Sequence, residues 1–156
     1  MIRLENTRFG SISIDDSTQI AFPRGLIGFS TETRFVLIER DNGAIAYLQS
    51  LVNPAIALPV IDAAMLQPSY PLRGPEEMAQ AAGIEKLEDM LALVVLAIDP
   101  ADGCLRANLL APIVIDASTR TGAQILLDAD KYGASVPIDG VPAKQPKMPV
   151  VEILNG

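Results

Sequence analysis

Met90-Leu91-Ala92-Leu93-Val94-Val95-Leu96-Ala97-Ile98 is an unbroken apolar run of nine residues, closed by Asp99-Pro100. It is far too short to span a membrane as a helix, which takes roughly 20 apolar residues. Its Leu and Val content and its turn-forming border predict instead that Leu91 to Ile98 is a central strand buried on both faces. Asp102-Gly103 just beyond is a hairpin signal, because glycine accepts the backbone angles of a tight turn. The chain then returns as strands over Cys104–Leu110, Pro112–Asp116 and Gly122–Leu127, the last two joined by the polar turn Ala117-Ser118-Thr119-Arg120-Thr121.

Upstream of the run lies the one good helix candidate. Pro75 suits a first helical position, Glu76 and Glu77 complement the positive end of the helix dipole, and Gly83 suits a left-handed cap. A short turn over Glu85–Met90 links it to the strand. Earlier still, Arg34–Arg40, Ala46–Val52 and Ala57–Asp62 read as strands, with Asp41-Asn42-Gly43 as a hairpin turn between the first two. Phe9 to Asp15 alternates with Ile12 and Ile14 on one face, and Thr18 to Phe22 resumes as an extended segment. Phe22-Pro23-Arg24-Gly25-Leu26-Ile27-Gly28-Phe29 predicts a bent loop: Pro23 holds Phe22 extended, both glycines permit positive φ, and Phe22, Leu26 and Phe29 turn inward.

After Tyr132 the texture changes, with Pro137, Pro142, Pro146 and Pro149 close together. The expectation is a β domain over residues 1–132 and a proline-rich, sparsely hydrogen-bonded tail over 133–156, in which 150–154 can dock as a last strand. The predicted fold class is mostly β: a small antiparallel β-barrel-like single domain with one short helical excursion.

Composition narrows the chemistry. The 156 residues contain no histidine and one cysteine, Cys104. That removes His-dependent triads, internal disulfides and cysteine-rich zinc sites, and it fits a reducing compartment. Asp15-Asp16, Glu76-Glu77 and Glu88-Asp89 are neighbours in sequence, so their carboxylates diverge instead of converging on a substrate. Asp128-Ala129-Asp130 lacks the glycine and distal glutamate of a calcium loop. No catalytic residue, metal site or cofactor is predicted, and an enzyme is not expected. The N-terminal Met1-Ile2-Arg3-Leu4-Glu5 has no apolar signal core, which predicts a cytoplasmic protein without a membrane segment.

A net charge of −7 and only seven aromatic residues argue against direct nucleic-acid binding, which needs a basic face. The charge is also uneven. Residues 1–40 carry five acids and five bases, whereas Glu76 to Asp102 carry seven acids against Lys86 alone, a local charge of −6. Such a projection steers a basic protein partner, and it equally serves as a solubilising face. Glu76, Glu77, Glu85, Glu88 and Asp89 are the candidate partner-binding residues.

Ile20-Ala21-Phe22-Pro23-Arg24-Gly25-Leu26-Ile27-Gly28-Phe29 resembles the FP-x-G-[IL]-x-GF segment of the flagellar assembly factor FliW family. Phe35-Val36-Leu37, then Leu48-Gln49-Ser50 with Pro54 and Ala57, follow at the family's spacing. Asn108-Leu109-Leu110-Ala111-Pro112-Ile113-Val114-Ile115 and Thr119-Arg120 with Gly122 and Gln124 resemble its NL-x-API-x-I…TR-x-G-x-Q block. The resemblance covers residues 2 to 132 in order. It implies a small β-barrel-like, non-enzymatic cytoplasmic regulator, monomeric when free, that binds flagellin before export. It also implies binding of the RNA-binding translational repressor CsrA, which relieves repression of flagellin translation. Phe22, Pro23, Gly25, Gly28, Phe29, Asn108, Pro112, Arg120 and Gly122 are expected to act mainly as structural motif residues. The alternative from the residues alone is a barrel that holds a small anionic ligand through Arg24 and Arg120.

Overall fold

The computed structural model describes residues 2–40, 44–66, 70, 75–138 and 151–153. Its strands are β1 (Ile2–Thr7), β2 (Gly10–Ile14), β3 (Ile20–Ala21), β4 (Arg34–Arg40), β5 (Ile45–Ser50) and β6 (Ala57–Asp62). They continue with β7 (Met90–Ile98), β8 (Leu105–Ala107), β9 (Ile113–Asp116), β10 (Thr121–Gln124), β11 (Val136–Pro137) and β12 (Val151–Ile153), and α1 (Pro75–Ala82) is inserted between β6 and β7. In space the order β7-β6-β5-β4-β3-β10-β9 closes on itself, because β9 also pairs with β7. The fold is thus a closed, barrel-like ring, antiparallel except where β10 meets β3 and β12 meets β4.

The apolar run Met90–Ile98 holds the ring together. One side of β7 pairs with β6 over Leu93–Val95; the other pairs first with β9 over Met90–Leu93 and then with β8 over Leu96–Ile98. Its two faces serve different cores. Leu91 and Leu93 fill the barrel interior with Ile20, Phe22, Phe35, Leu37, Leu48, Ile113 and Ile115. Met90, Ala92, Val94 and Leu96 form an outer layer with Met78 and Ala79 of α1 and with Tyr70 and Tyr132. A third layer lies where the β1–β2 hairpin packs Leu4, Ile12 and Ile14 over Val36 and Ile38 of β4. Strands covered on both faces lose the alternation that a one-sided sheet shows.

The local signals resolve as follows. Gly83 caps α1 at φ +75° and Gly103 turns the β7–β8 hairpin at φ +70°. The Asp41-Asn42-Gly43 turn lies outside the described residues, although β4 and β5 pair antiparallel on either side of it. The segment Thr18–Phe22 is shorter as a strand than expected. Asp16–Thr18 is a single tight helical turn whose start Asp15 caps by accepting from Ser17 N, and only Ile20–Ala21 is paired. Strand β8 is also short, because Asn108 Oδ1 accepts from Leu110 N and Ala111 N and turns the chain there. Beyond Tyr132 the described residues are 133–138 and 151–153. The Gly133 carbonyl accepts from Leu109 N and Leu110 N, β11 pairs with β8, and Val151–Ile153 docks in parallel on β4. Among the described residues no helix is long and apolar enough to cross a membrane.

Candidate functional site

The connection from β3 to β4 is a chain of tight turns laid across one mouth of the barrel. Gly25 N donates to Phe22 O at 2.8 Å, Leu26 and Phe29 exchange backbone bonds of 3.1 and 2.8 Å, and Phe22 N closes the excursion on Thr33 O at 2.8 Å. Gly25 sits at φ +67°, and a Cβ there would lie 2.5 Å from the Ser30 carbonyl oxygen, so no side chain fits. Gly28 supplies the other positive φ, +86°. Phe22 is fully buried, edge-on to Phe35 with centroids 5.4 Å apart, and Leu26 is buried beside it. Phe29 departs from the expected inward set. Phe22, Leu26 and Phe35 already fill this end of the interior, and the turn at Ile27–Gly28 carries Phe29 past it to the surface, 36% exposed.

Strand β10 closes the barrel against this loop. A Cβ on Gly122 would stand 2.6 Å from the Phe22 ring, so the glycine sets how closely the two segments approach. Gln124 bridges them, its Oε1 accepting from Ile27 N at 2.8 Å and its Nε2 donating to Ala111 O at 3.0 Å. Arg120, at φ +56°, donates Nε to Gln19 O at 2.8 Å and Nη2 to Thr18 O, while its own carbonyl accepts from Ala21 N. Partial burial pulls its guanidinium below the ordinary arginine value. Two backbone carbonyls thus engage that group, and Arg120 is not among the residues that line the groove bordered by Arg24. Pro112 is buried at the head of β9, and its carbonyl accepts from Ile125 N. The motif residues are therefore brought together, and what they build is a seam of the fold.

Between loop 23–30, the end of α1 and β10 runs a groove of about 900 Å³. Its floor is Gly122 and Ala123, Ala81 to Ile84 form one wall, and Ile27 and Leu126 stand on its rim, 54% and 68% exposed. The charged residues that line it are Arg24 and Asp116. Hydrogen bonds from the Ser118 hydroxyl and backbone hold the Asp116 carboxyl below the usual aspartate range. Among the described residues no group of three or more His, Cys, Asp or Glu side chains is placed to hold a metal ion.

The five candidate acids do not form one equivalent set. Glu76, Glu85 and Glu88 are exposed, whereas Glu77 and Asp89 are half-buried. Glu77 accepts from the Tyr132 hydroxyl through both oxygens, at 2.9 and 3.1 Å. Tyr132 in turn stands edge-on to Tyr70, which donates to Leu109 O at 2.7 Å. Burial, then the neighbouring Tyr132 and Glu77, push the Tyr70 phenol well above its ordinary value. Asp89 contributes its backbone, the carbonyl accepting from Ala117 N at 2.7 Å. The sequence reading missed one polar cluster altogether. Glu32 is buried and accepts from Ser50 Oγ at 2.6 Å, while Ser50 Oγ accepts from Val52 N and Asn53 N. The signal lay in Gln49-Ser50 before Asn53-Pro54, since Gln49 Nε2 also bonds Ser50 O and Pro54 O and so shapes the same turn.

The comparisons agree with this architecture. A flagellar assembly factor FliW from Caldanaerobacter subterraneus subsp. tengcongensis is 34% identical over 139 residues, covering 88% of this chain and 93% of the relative. The FliW of Oceanobacillus iheyensis is 30% identical over 145 residues, covering 92% and 99%. A crystal structure of the flagellar assembly factor FliW superposes with a TM-score of 0.74 at 27% identity, covering 86% of this chain and 95% of that one. The family described as FliW protein matches residues 3–138, from the first hairpin through β11. With the ring, the loop–β10 seam and these relatives in agreement, the chain belongs to the FliW family of flagellar assembly factors.

Proposed function

We propose that this chain works in the cytoplasm as a non-catalytic regulator, monomeric when free, that binds flagellin before export. It also binds the translational repressor CsrA and so relieves repression of flagellin translation. The observation that carries the reading is the acidic excursion around α1, with seven acids against one lysine between Glu76 and Asp102 and with Glu76, Glu85 and Glu88 exposed. A repressor that binds RNA presents a basic surface. An acidic partner is drawn to that surface and also repels the competing RNA. Rim carboxylates chiefly set the association rate, while affinity comes from apolar side chains that lose water on contact. Ile27 and Leu126 stand exposed on the groove beside α1 and supply such side chains.

Reversing Glu76, Glu85 and Glu88 together to lysine tests the steering surface, because none of these side chains forms an ion pair or hydrogen bond within the described fold. Stopped-flow association with purified CsrA is expected to slow by about tenfold or more at low salt and to lose most of its salt dependence. An association rate unchanged across salt would remove this surface from the reading. Pull-down from a motile bacterial lysate tests the partner class itself, with recovery of flagellin or CsrA expected. Recovery of neither contradicts the assignment.

A further inference from the structure

Strand β3 has two residues and covers β4 only at Arg34 and Phe35. The opposite side of β4 is held by β5 over Phe35–Glu39. Past Phe35 the first side is left to β12, whose Val151, Glu152 and Ile153 pair in parallel with Ile38, Glu39 and Arg40. The last strand therefore fills a gap that the barrel leaves in its own sheet. It comes from beyond the family match, which ends at residue 138, and follows a linker, 139–150, that contains Pro142, Pro146 and Pro149.

The backbone register of β12 sets position 152, a glutamate in the sequence, beside Glu39, so the occupant brings no cation to that place. Glu39 is only 7% exposed and takes no hydrogen bond or ion pair from any described residue. It follows Phe35 and Leu37 on the strand face that looks into the barrel, and its β5 partner Ala46 also belongs to the interior cluster. A short linker gives a tethered strand a high effective concentration, so even a mismatched segment holds the edge when nothing competes. Main-chain bonds of an added strand are indifferent to sequence, and side chains at alternate positions decide which strand is preferred.

We propose that the β4 edge at Ile38–Arg40 is a docking site for an extended segment of a partner protein bearing a lysine or arginine between two apolar residues, and that β12 is the weak internal occupant such a segment displaces. The cation takes the place of Glu152 and gives Glu39 the counter-charge it lacks, while the flanking apolar residues repeat the pattern of Val151 and Ile153. This goes beyond the reading above, since it requires neither flagellin nor CsrA to be the source of the segment.

The test uses the full chain and two synthetic peptides, Pro-Val-Val-Lys-Ile-Leu and the chain's own Pro-Val-Val-Glu-Ile-Leu, with binding followed by calorimetry and by amide shifts of Ile38 and Arg40. The lysine peptide is expected to bind severalfold more tightly. Val151→Pro, which weakens β12, is expected to raise its affinity severalfold, and Glu152→Lys, which repairs the internal strand, to lower it. Glu39→Gln should erase the preference between the peptides. Near-UV circular dichroism matching that of the unaltered chain shows that each variant is folded. Should a variant fail that check, the comparison of the two peptides on the unaltered chain still decides. Equal binding of the two peptides, no binding of either, or an affinity indifferent to both Val151→Pro and Glu152→Lys in folded protein overturns the proposal.

Discussion

The loop–β10 seam and the acidic excursion around α1 treat their polar groups in opposite ways. In the seam, Arg120 and Gln124 satisfy backbone groups of other segments (Thr18 O and Gln19 O, Ile27 N–H and Ala111 O), and Asn108 satisfies Leu110 N–H and Ala111 N–H of its own turn. Around α1, Glu77 alone of the five candidate acids turns its carboxylate inward, onto Tyr132, and Glu76, Glu85 and Glu88 face water. A residue whose hydrogen-bonding capacity is consumed by the fold is held there by folding, whereas one left facing solvent is free to meet a partner. Substitutions in the seam should therefore register as lost stability, and substitutions on the acidic face as altered association.

The sharpest way to break this comparison lies inside the loop itself. Phe22→Ala removes a fully buried ring packed on Phe35 and Gly122 and is expected to cost about 3–5 kcal/mol by denaturant unfolding. Phe29→Ala, at the surface of the same motif, should cost less, about 1–2 kcal/mol, because the ring is 36% exposed and its removal opens no enclosed cavity. Equal losses at the two positions would mean that the exposed ring supports the fold as much as the buried one.

Arg120→Ala comes next. It strips two donors from the Thr18 and Gln19 carbonyls and leaves a positive φ on a residue with no side chain to justify it, an expected loss of about 1–3 kcal/mol. Arg120→Lys keeps the charge but cannot reproduce two donors from one planar group, so it should recover only part of that loss. Full recovery by lysine would show that charge, and not the paired geometry, matters at this point of the seam.

How much of the fold is legible in the sequence depends on the range of the forces involved. Helix α1 and its Gly83 cap, the β7 run and the β9–β10 hairpin follow from local rules, since proline, glycine and unbroken apolar runs constrain the chain within a few residues. A barrel-like fold was legible from the strand count and the resemblance, but the strands that close it were not, because closure depends on β9 meeting β7 across an intervening strand and on a parallel contact at Thr121 with Ala21, far apart in sequence. Phe29 was misplaced for the same reason: whether a third apolar residue enters an interior depends on how much of it others have filled. Glu32 stayed hidden because burial of a carboxylate shows only once Ser50 is seen beside it. The acidic face was legible as charge, yet the tie between Glu77 and Tyr132 spans 55 positions and separates one member of the set from the rest.

The smallest expected effect tests whether a surface carboxylate that serves the fold differs from one that does not. Ser118 donates backbone and hydroxyl hydrogen bonds to Asp116 and holds its carboxyl below the ordinary value. A carboxyl whose folded value is depressed contributes stability that is present above its unfolded value, about pH 4, and is lost as pH falls through the folded value. Ser118→Ala removes the largest cause of that depression, so the variant should be slightly less stable than the unaltered chain near neutrality and converge with it in acid. Glu88, which faces water with no partner in the described fold, provides the contrast: Glu88→Gln should leave stability at neutral pH unchanged. Two denaturant series across pH distinguish the cases. If the Ser118 variant shows a constant offset at every pH, the hydroxyl acts through turn geometry alone, and the carboxylate at the groove's edge belongs with the solvent-facing acids and not with the seam.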